Sequence, residues 1–281
     1  MGRTTALFSL GGAPGVTLTA MAMAAVWPEQ RGAALVEADA SGGDIGAWYR
    51  LPASPGVTDL AAATRRRTAA DPPADPLAFC QTLPGGLPVC AGPASADPAQ
   101  GAVQLLATNS PRLAAGGAAP GGPATVVDLG RLAPRTPTAH LAANADDALL
   151  LVSDDLAQLR RVKQSAAALT DSIGALRVVV VGGSGSTSEI AAAVDLPVWS
   201  GRIPLDTRSA AFLRGEANLR RPQRRPLFRA ALALITTLVE APADAPPARP
   251  QPVAQRYSTA AKPPPGAGEP GTSGTAPGGH Q

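Results

Sequence analysis

Three features of this sequence combine residue types and spacing that could do chemistry: a glycine-rich turn near the start and two acidic residues that close apolar runs. The turn is Gly11-Gly12-Ala13-Pro14-Gly15-Val16-Thr17, set between an apolar run over residues 4–10 and an Ala- and Met-rich run over residues 16–27. At a strand-to-helix turn, backbone N–H groups and the helix dipole together favour an anion, so the turn is a candidate phosphate cradle. Its glycines would let a phosphate approach the backbone, and a hydroxyl at the Thr17 position suits a magnesium ion. The acids are Asp39, after residues 33–38 (AALVEA), and Asp128, within residues 124–129 (ATVVDL). Asp39 equally suits an Asx turn leading into Ser41-Gly42-Gly43.

The turn is short of positive charge. Lys163 and Lys262 are the only lysines in 281 residues, so none lies near it. Pro14 removes one N–H donor. Arg3 precedes the first apolar run and belongs at its far end. Phosphoryl transfer depends on positioning and charge stabilisation, and losing one such cation costs on the order of 10² to 10³ in rate.

Other chemistries find little support. Cys80 and Cys90 stand ten residues apart, with only His140 and His280 as further soft ligands, which argues against a structural zinc site and for unpaired thiols. No Ser-His-Asp or Cys-His arrangement stands out. No apolar run reaches the roughly 18 to 20 residues of a membrane span, and the apolar residues 18–27 read as a buried helix rather than a signal-peptide core. A cytoplasmic protein, at most peripheral to a membrane or nucleoid, is expected.

The elements that must position the turn and the acids alternate along the chain. Apolar runs over residues 4–10, 33–38, 87–90, 125–129, 148–152 and 177–181 read as strands, and residues 16–27, 98–108, 156–169, 188–194 and 226–240 read as helices. This repeat predicts an α/β fold, a doubly wound and mostly parallel sheet with helices on both faces. With 45% hydrophobic and only 3% aromatic residues, the core is expected to be packed from small aliphatic side chains. One domain over residues 1–240 is expected. Residues 241–281, rich in Pro, Gly, Ala and Ser, cannot bury enough apolar surface to offset the entropy of ordering, and read as a disordered tail. Residues 71–76 and 114–123 read as surface loops.

Residues 7–24 (LFSLGGAPGVTLTAMAMA) resemble the first strand, phosphate loop and helix of the ParA/MinD family of P-loop nucleotide-binding proteins, of the SIMIBI type, whose deviant Walker motif reads KGGxGKT. Aligned on its end, Gly12, Gly15 and Thr17 match. The family's first lysine falls on Gly11, and its second, which reaches the β- and γ-phosphates, falls on Val16. Residues 34–63 resemble the family's D-x-D strand, switch loop and following helix, with Glu37 in place of the first Asp and Asp39 matching the second. Residues 124–134 resemble the Walker B segment, and residues 144–162 and 196–216 resemble later family stretches, so the likeness covers about residues 7–240. Where the family carries an Asn that reads adenine, this chain has Gly182-Gly183.

The resemblance implies ATP and Mg²⁺ as ligands, with weak or no binding and slow or no hydrolysis because the lysines are missing. It implies nucleotide contacts from Gly11, Gly12, Ala13, Gly15, Val16, Thr17 and Leu18, metal contacts from Thr17, Asp39 and Asp128, and a catalytic role for Asp39. A homodimer or a partner protein is implied. Arg65-Arg66-Arg67 and the basic stretch Arg220 to Arg225 could meet DNA phosphates or anionic lipid, although such runs also serve as solvated faces. Two other readings compete. The fold could serve as a scaffold without nucleotide. A dinucleotide enzyme would use Glu37, about twenty residues past the turn, or the glycine-rich run Gly183-Ser184-Gly185-Ser186-Thr187-Ser188, whose third Gly is missing.

Overall fold

Strands inside a parallel sheet bury both faces, so they must be apolar on every side chain. The computed structural model describes residues 2–12, 14–28, 32–65, 70–72, 74–115, 122–133 and 135–240. In chain order these form β1 (Thr4–Ser9), α1 (Val16–Ala25), β2 (Ala33–Glu37), α2 (Ile45–Tyr49), α3 (Val57–Thr64), a 3-10 turn (Pro76–Phe79), β3 (Gln81–Thr82), β4 (Pro88–Cys90), α4 (Ala96–Asn109), β5 (Ala124–Arg131) and α5 (Pro137–Ala143). There follow β6 (Asp147–Ser153), α6 (Leu156–Ser172), β7 (Leu176–Val181), α7 (Thr187–Val194), β8 (Val198–Ile203), α8 (Thr207–Leu213), a second 3-10 turn (Pro222–Arg224) and α9 (Pro226–Glu240).

The strands join one sheet in the order β3-β4-β2-β5-β1-β6-β7-β8. All neighbours are parallel except β3 and β4. Successive side chains go to opposite faces. Ala6 and Phe8 of β1, Val36 of β2, Leu150 of β6 and Val178 of β7 pack with α3, α4, α5, α6 and α7. Leu7, Leu35, Leu149 and Val179 pack on the other face with α1, α8 and α9. This is the doubly wound architecture expected from the sequence.

Helix α1 is buried through Met21, Ala22 and Met23, as its composition predicts. Helix α9 fills the same face with Leu227, Phe228, Ala231, Leu234, Ile235 and Leu238. Arg3 pairs with Asp147 at 2.5 Å, at the strand ends remote from the turn. The elements α2, α5, α8 and β8, of five to seven residues each, are too short to show a periodicity of their own. The expected surface loops differ in part from the structure. Ala74 is buried and bridges to Leu113, and Ala114 and Ala115 are fully buried, because side chains this small let a connecting segment close over the core. Residue 13, residues 66 and 67, and the expected tail over residues 241–281 lie outside the described residues. Both cysteines are free thiols, Cys90 in the core. Among the described residues, no helix is long and apolar enough to cross a membrane.

Candidate functional site

The C-terminal ends of the parallel strands gather the residues singled out in the sequence, as open α/β sheets generally place their ligand crevice there. β1 runs into the glycine turn. Gly12 and Gly15 adopt φ of 70° and 79°, a left-handed backbone that glycine enters without strain. Gly15 is the N-cap of α1, and no side chain caps that helix, so the first-turn N–H groups of Val16, Thr17 and Leu18 face out of the helix end. The Val16 side chain is 7% exposed and belongs to the apolar cluster beneath α1. What this position offers a ligand is therefore its backbone.

Asp128, on β5, is fully buried. Burial pushes its carboxyl up to about 7, against the opposing effects of the Thr17 hydroxyl and the Gly130 N–H, while Glu37 and Asp39 raise it further by charge. Its Oδ1 accepts from Gly130 N at 2.9 Å, and its Oδ2 has no hydrogen-bond partner among the described residues. Asp39 lies against Gly130, so close that a Cβ at Gly130 would collide with its carboxylate. Burial raises Asp39 as well, opposed by the Ser41 N–H, which donates to it at 2.7 Å. The Asx turn and the strand-end acid are thus one residue in one place. Thr17, Asp39 and Asp128 converge, and an orphaned carboxylate oxygen beside a hydroxyl fits a hard cation with oxygen ligands. Among the described residues no group of three or more His, Cys, Asp or Glu side chains is placed to hold a metal ion, so an ion at these two carboxylates and one hydroxyl would draw its remaining ligands from water or phosphate.

Glu37 does something else. Its Oε1 accepts from Asp44 N at 2.7 Å and Ile45 N at 3.0 Å, and its Oε2 accepts from Gly92 N at 2.9 Å. Burial raises this carboxyl while those three N–H groups pull it back. It ties the start of α2 to the segment after β4, and Gly43 and Gly92 leave it room.

The structure also places a residue that spacing could not reveal. Helix α6 lays Gln158 and Arg161 across the turn: the Gln158 amide rests on Gly12, and the Arg161 guanidinium occupies the space a Cβ at Gly11 would take. Arg161 Nη1 points to Leu10 O at 3.4 Å, and Gln158 Oε1 accepts from Ser153 N at 3.1 Å. The crevice lined by Leu10, Gly11, Gln158, Arg161 and Val162 is too narrow to admit a water molecule. The turn lacks a lysine, but it does not lack a cation. No sequence signal links Arg161 to Leu10 across 151 positions.

Further along the same edge, β7 and β8 open onto a cavity of about 600 Å³ lined by Gly182, Gly183, Arg202, Pro204, Leu205 and Arg229. Gly182 and Gly183 take φ of 65° and 73°, and a Cβ at Gly183 would meet the Asp154 carboxylate. Asp154 accepts from Gly185 N at 2.7 Å, and Arg202 donates to the carbonyls of Gly182 and Gly185. The glycine-rich run over residues 183–188 is thus filled by a carboxylate, which repels a dinucleotide's phosphates. Of the basic residues, Arg225 pairs with Asp206 at 2.7 Å and Arg214 with Glu216 at 2.8 Å, whereas Arg65, Arg220, Arg221 and Arg224 are at least partly exposed.

The sequence matches no family model and no curated protein. Solved structures do match. A ParA family ATPase from Chlorobium tepidum superposes with a TM-score of 0.60 at 15% identity over 84% of this chain and 99% of that one. The septum site-determining protein MinD of Pyrococcus horikoshii, complexed with Mg-ADP, gives 0.59 at 12% identity over 85% and 97%. The Cyanothece McdA(D38A)-ATP complex gives 0.59 at 12% identity over 85% of this chain and 96% of that one. The chain therefore has the ParA/MinD-like P-loop fold.

Proposed function

We propose that this protein is a nucleotide-binding member of the ParA/MinD-like positioning or partitioning proteins, with a lysine-less phosphate loop that binds nucleotide weakly and turns it over slowly or not at all. The observation that carries this reading is the convergence of the uncapped start of α1, Thr17, Asp39 and the orphaned Asp128 oxygen at one point. In it, Gly11, Gly12, Ala13, Gly15, Val16, Thr17 and Leu18 line the phosphates through their backbone. Thr17, Asp39 and Asp128 hold Mg²⁺, whose chemistry when bound is to neutralise charge on the phosphates. Asp39 orients the attacking water in whatever slow hydrolysis remains. The cavity of about 600 Å³ at Gly182 and Arg202 is where a base would sit.

Slow turnover follows from charge. The Val16 side chain is committed to the core, so nothing inside the loop itself balances the charge that develops on transferring phosphate. The protein then works as a bound-state scaffold, as a homodimer or on a partner, and the Arg220, Arg221 and Arg224 face supplies contact with DNA or anionic lipid. Phosphate release under saturating Mg-ATP tests the catalytic half: release should exceed the protein-free background by little, and Asp39→Ala should remove whatever excess there is. A rate far above the protein-free background contradicts the slow-turnover reading.

A further inference from the structure

We propose that Arg161 is the phosphate-binding cation of this site, reaching in from α6 to stand in for the lysines that the loop lacks. The inference rests on the nucleotide-binding reading and adds a residue to it. Its first support is position: a Cβ at Gly11 would collide with Arg161 Nη1, so the guanidinium occupies the start of the path that a lysine side chain at residue 11 would follow. Its second is availability. The one hydrogen bond Arg161 makes among the described residues is the long one to Leu10 O at 3.4 Å, and it forms no ion pair with any described carboxylate. A guanidinium has five N–H donors in a planar fork suited to phosphate oxygens, and most of these are unspent.

Two further observations say that an anion and its counter-ion belong here. α1 starts at Gly15 without a side-chain cap, leaving its N–H groups at the same turn. Asp128, fully buried beside Thr17, keeps Oδ2 without a partner, as a carboxylate awaiting a cation would. Arg161 and Gln158 also explain why the crevice is closed. Both cover the turn with the far ends of flexible side chains, and Arg161 is exposed, so a polyphosphate can displace them without moving backbone. The guanidinium then re-bonds to the displacing oxygens. Spacing within α6 makes this specific: residues 158 and 161 share one helix face, whereas the neighbouring Arg160 lies off it.

The test is a titration of the full-length protein with Mg-ATP and, separately, with inorganic tripolyphosphate, comparing the parent with Arg161→Ala, Arg161→Lys and the control Arg160→Ala. Charge-assisted contacts of this kind are worth roughly ten- to a hundredfold in affinity. Arg161→Ala should weaken both ligands by that factor, Arg161→Lys should recover much of it, and Arg160→Ala should match the parent. Melting midpoints of all variants should agree within a degree or two, because Arg161 is exposed. If the parent binds Mg-ATP and Arg161→Ala binds it equally well, the assignment of Arg161 is overturned while the nucleotide reading stands. If the parent binds tripolyphosphate through Arg161 but not Mg-ATP, the nucleotide reading fails and the anion role of Arg161 survives. If the parent binds neither, both are overturned.

Discussion

A carboxyl as deeply buried as Asp128 must be either protonated or paired with a cation. Its pKa near 7, raised from an ordinary value of 3.8, means that the folded state holds a proton which the unfolded chain releases between about pH 4 and 7. Stability from this group is full below about pH 4 and is lost as pH rises through 7, a difference of at most about 4 kcal/mol. In buffer containing a chelator, Asp128→Asn should therefore be more stable than the parent at pH 8, and the advantage should shrink steadily from about pH 7 downward and vanish only near about pH 4, read from denaturation midpoints across that range. An equal pH dependence in both proteins would assign the effect to Glu37 and Asp39, whose carboxyls are raised in the same direction. At this scale the sequence made legible which residues would meet, the glycine turn, Thr17, Asp39 and Asp128, because each closes or opens an element whose apolar run marks it. Arg161 was not, because only the packing of α6 beside β6 brings it to the turn after β1.

Among the elements, the segment between β2 and α3 shows how a site is held in shape. Glu37 closes β2 and accepts three backbone N–H groups from Asp44, Ile45 and Gly92, so one side chain fixes the five-residue α2 and the exit of β4. A helix this short has no stability of its own. Glu37→Ala should cost about 2 to 4 kcal/mol, as expected for stranding buried donors, and should speed hydrogen exchange at residues 44–49 before the rest of the sheet opens. Uniformly slow exchange there would show that α2 is held by other contacts. The longer elements were readable because burial on both sheet faces imposes continuous apolar runs, because a helix such as α4 shows a buried stripe, and because α1 is apolar nearly all round. β8 was not, since Ser200, Gly201 and Arg202 interrupt its apolar pattern, and Glu37's role depends on Gly92, 55 residues away.

For the molecule as a whole, the proposed anion site lies at the C-terminal ends of the central strands, and a basic stretch, Arg220 to Arg225, follows α8. If Arg220, Arg221 and Arg224 meet DNA, binding should fall steeply with salt, and replacing Arg220 and Arg221 with Ala should lower the log–log salt slope by roughly one for each phosphate no longer neutralised. Absence of binding to duplex DNA at low salt, with binding to anionic vesicles instead, would assign the face to lipid. The core that supports both surfaces depends on α9 closing over α1. Leu234→Ala, at a fully buried position, should cost about 2 to 5 kcal/mol of unfolding free energy, whereas truncation at residue 240 should shift the melting midpoint by no more than a few degrees, given the composition of what it removes. Nucleotide binding at the glycine turn is tested most directly by a calorimetric titration of the full-length protein with ATP in the presence and absence of Mg²⁺. Saturable one-site binding, weaker without Mg²⁺ and weakened again by Asp128→Asn, is the predicted result. No heat of binding at millimolar ATP with Mg²⁺ would contradict it and leave the fold as a scaffold without a nucleotide.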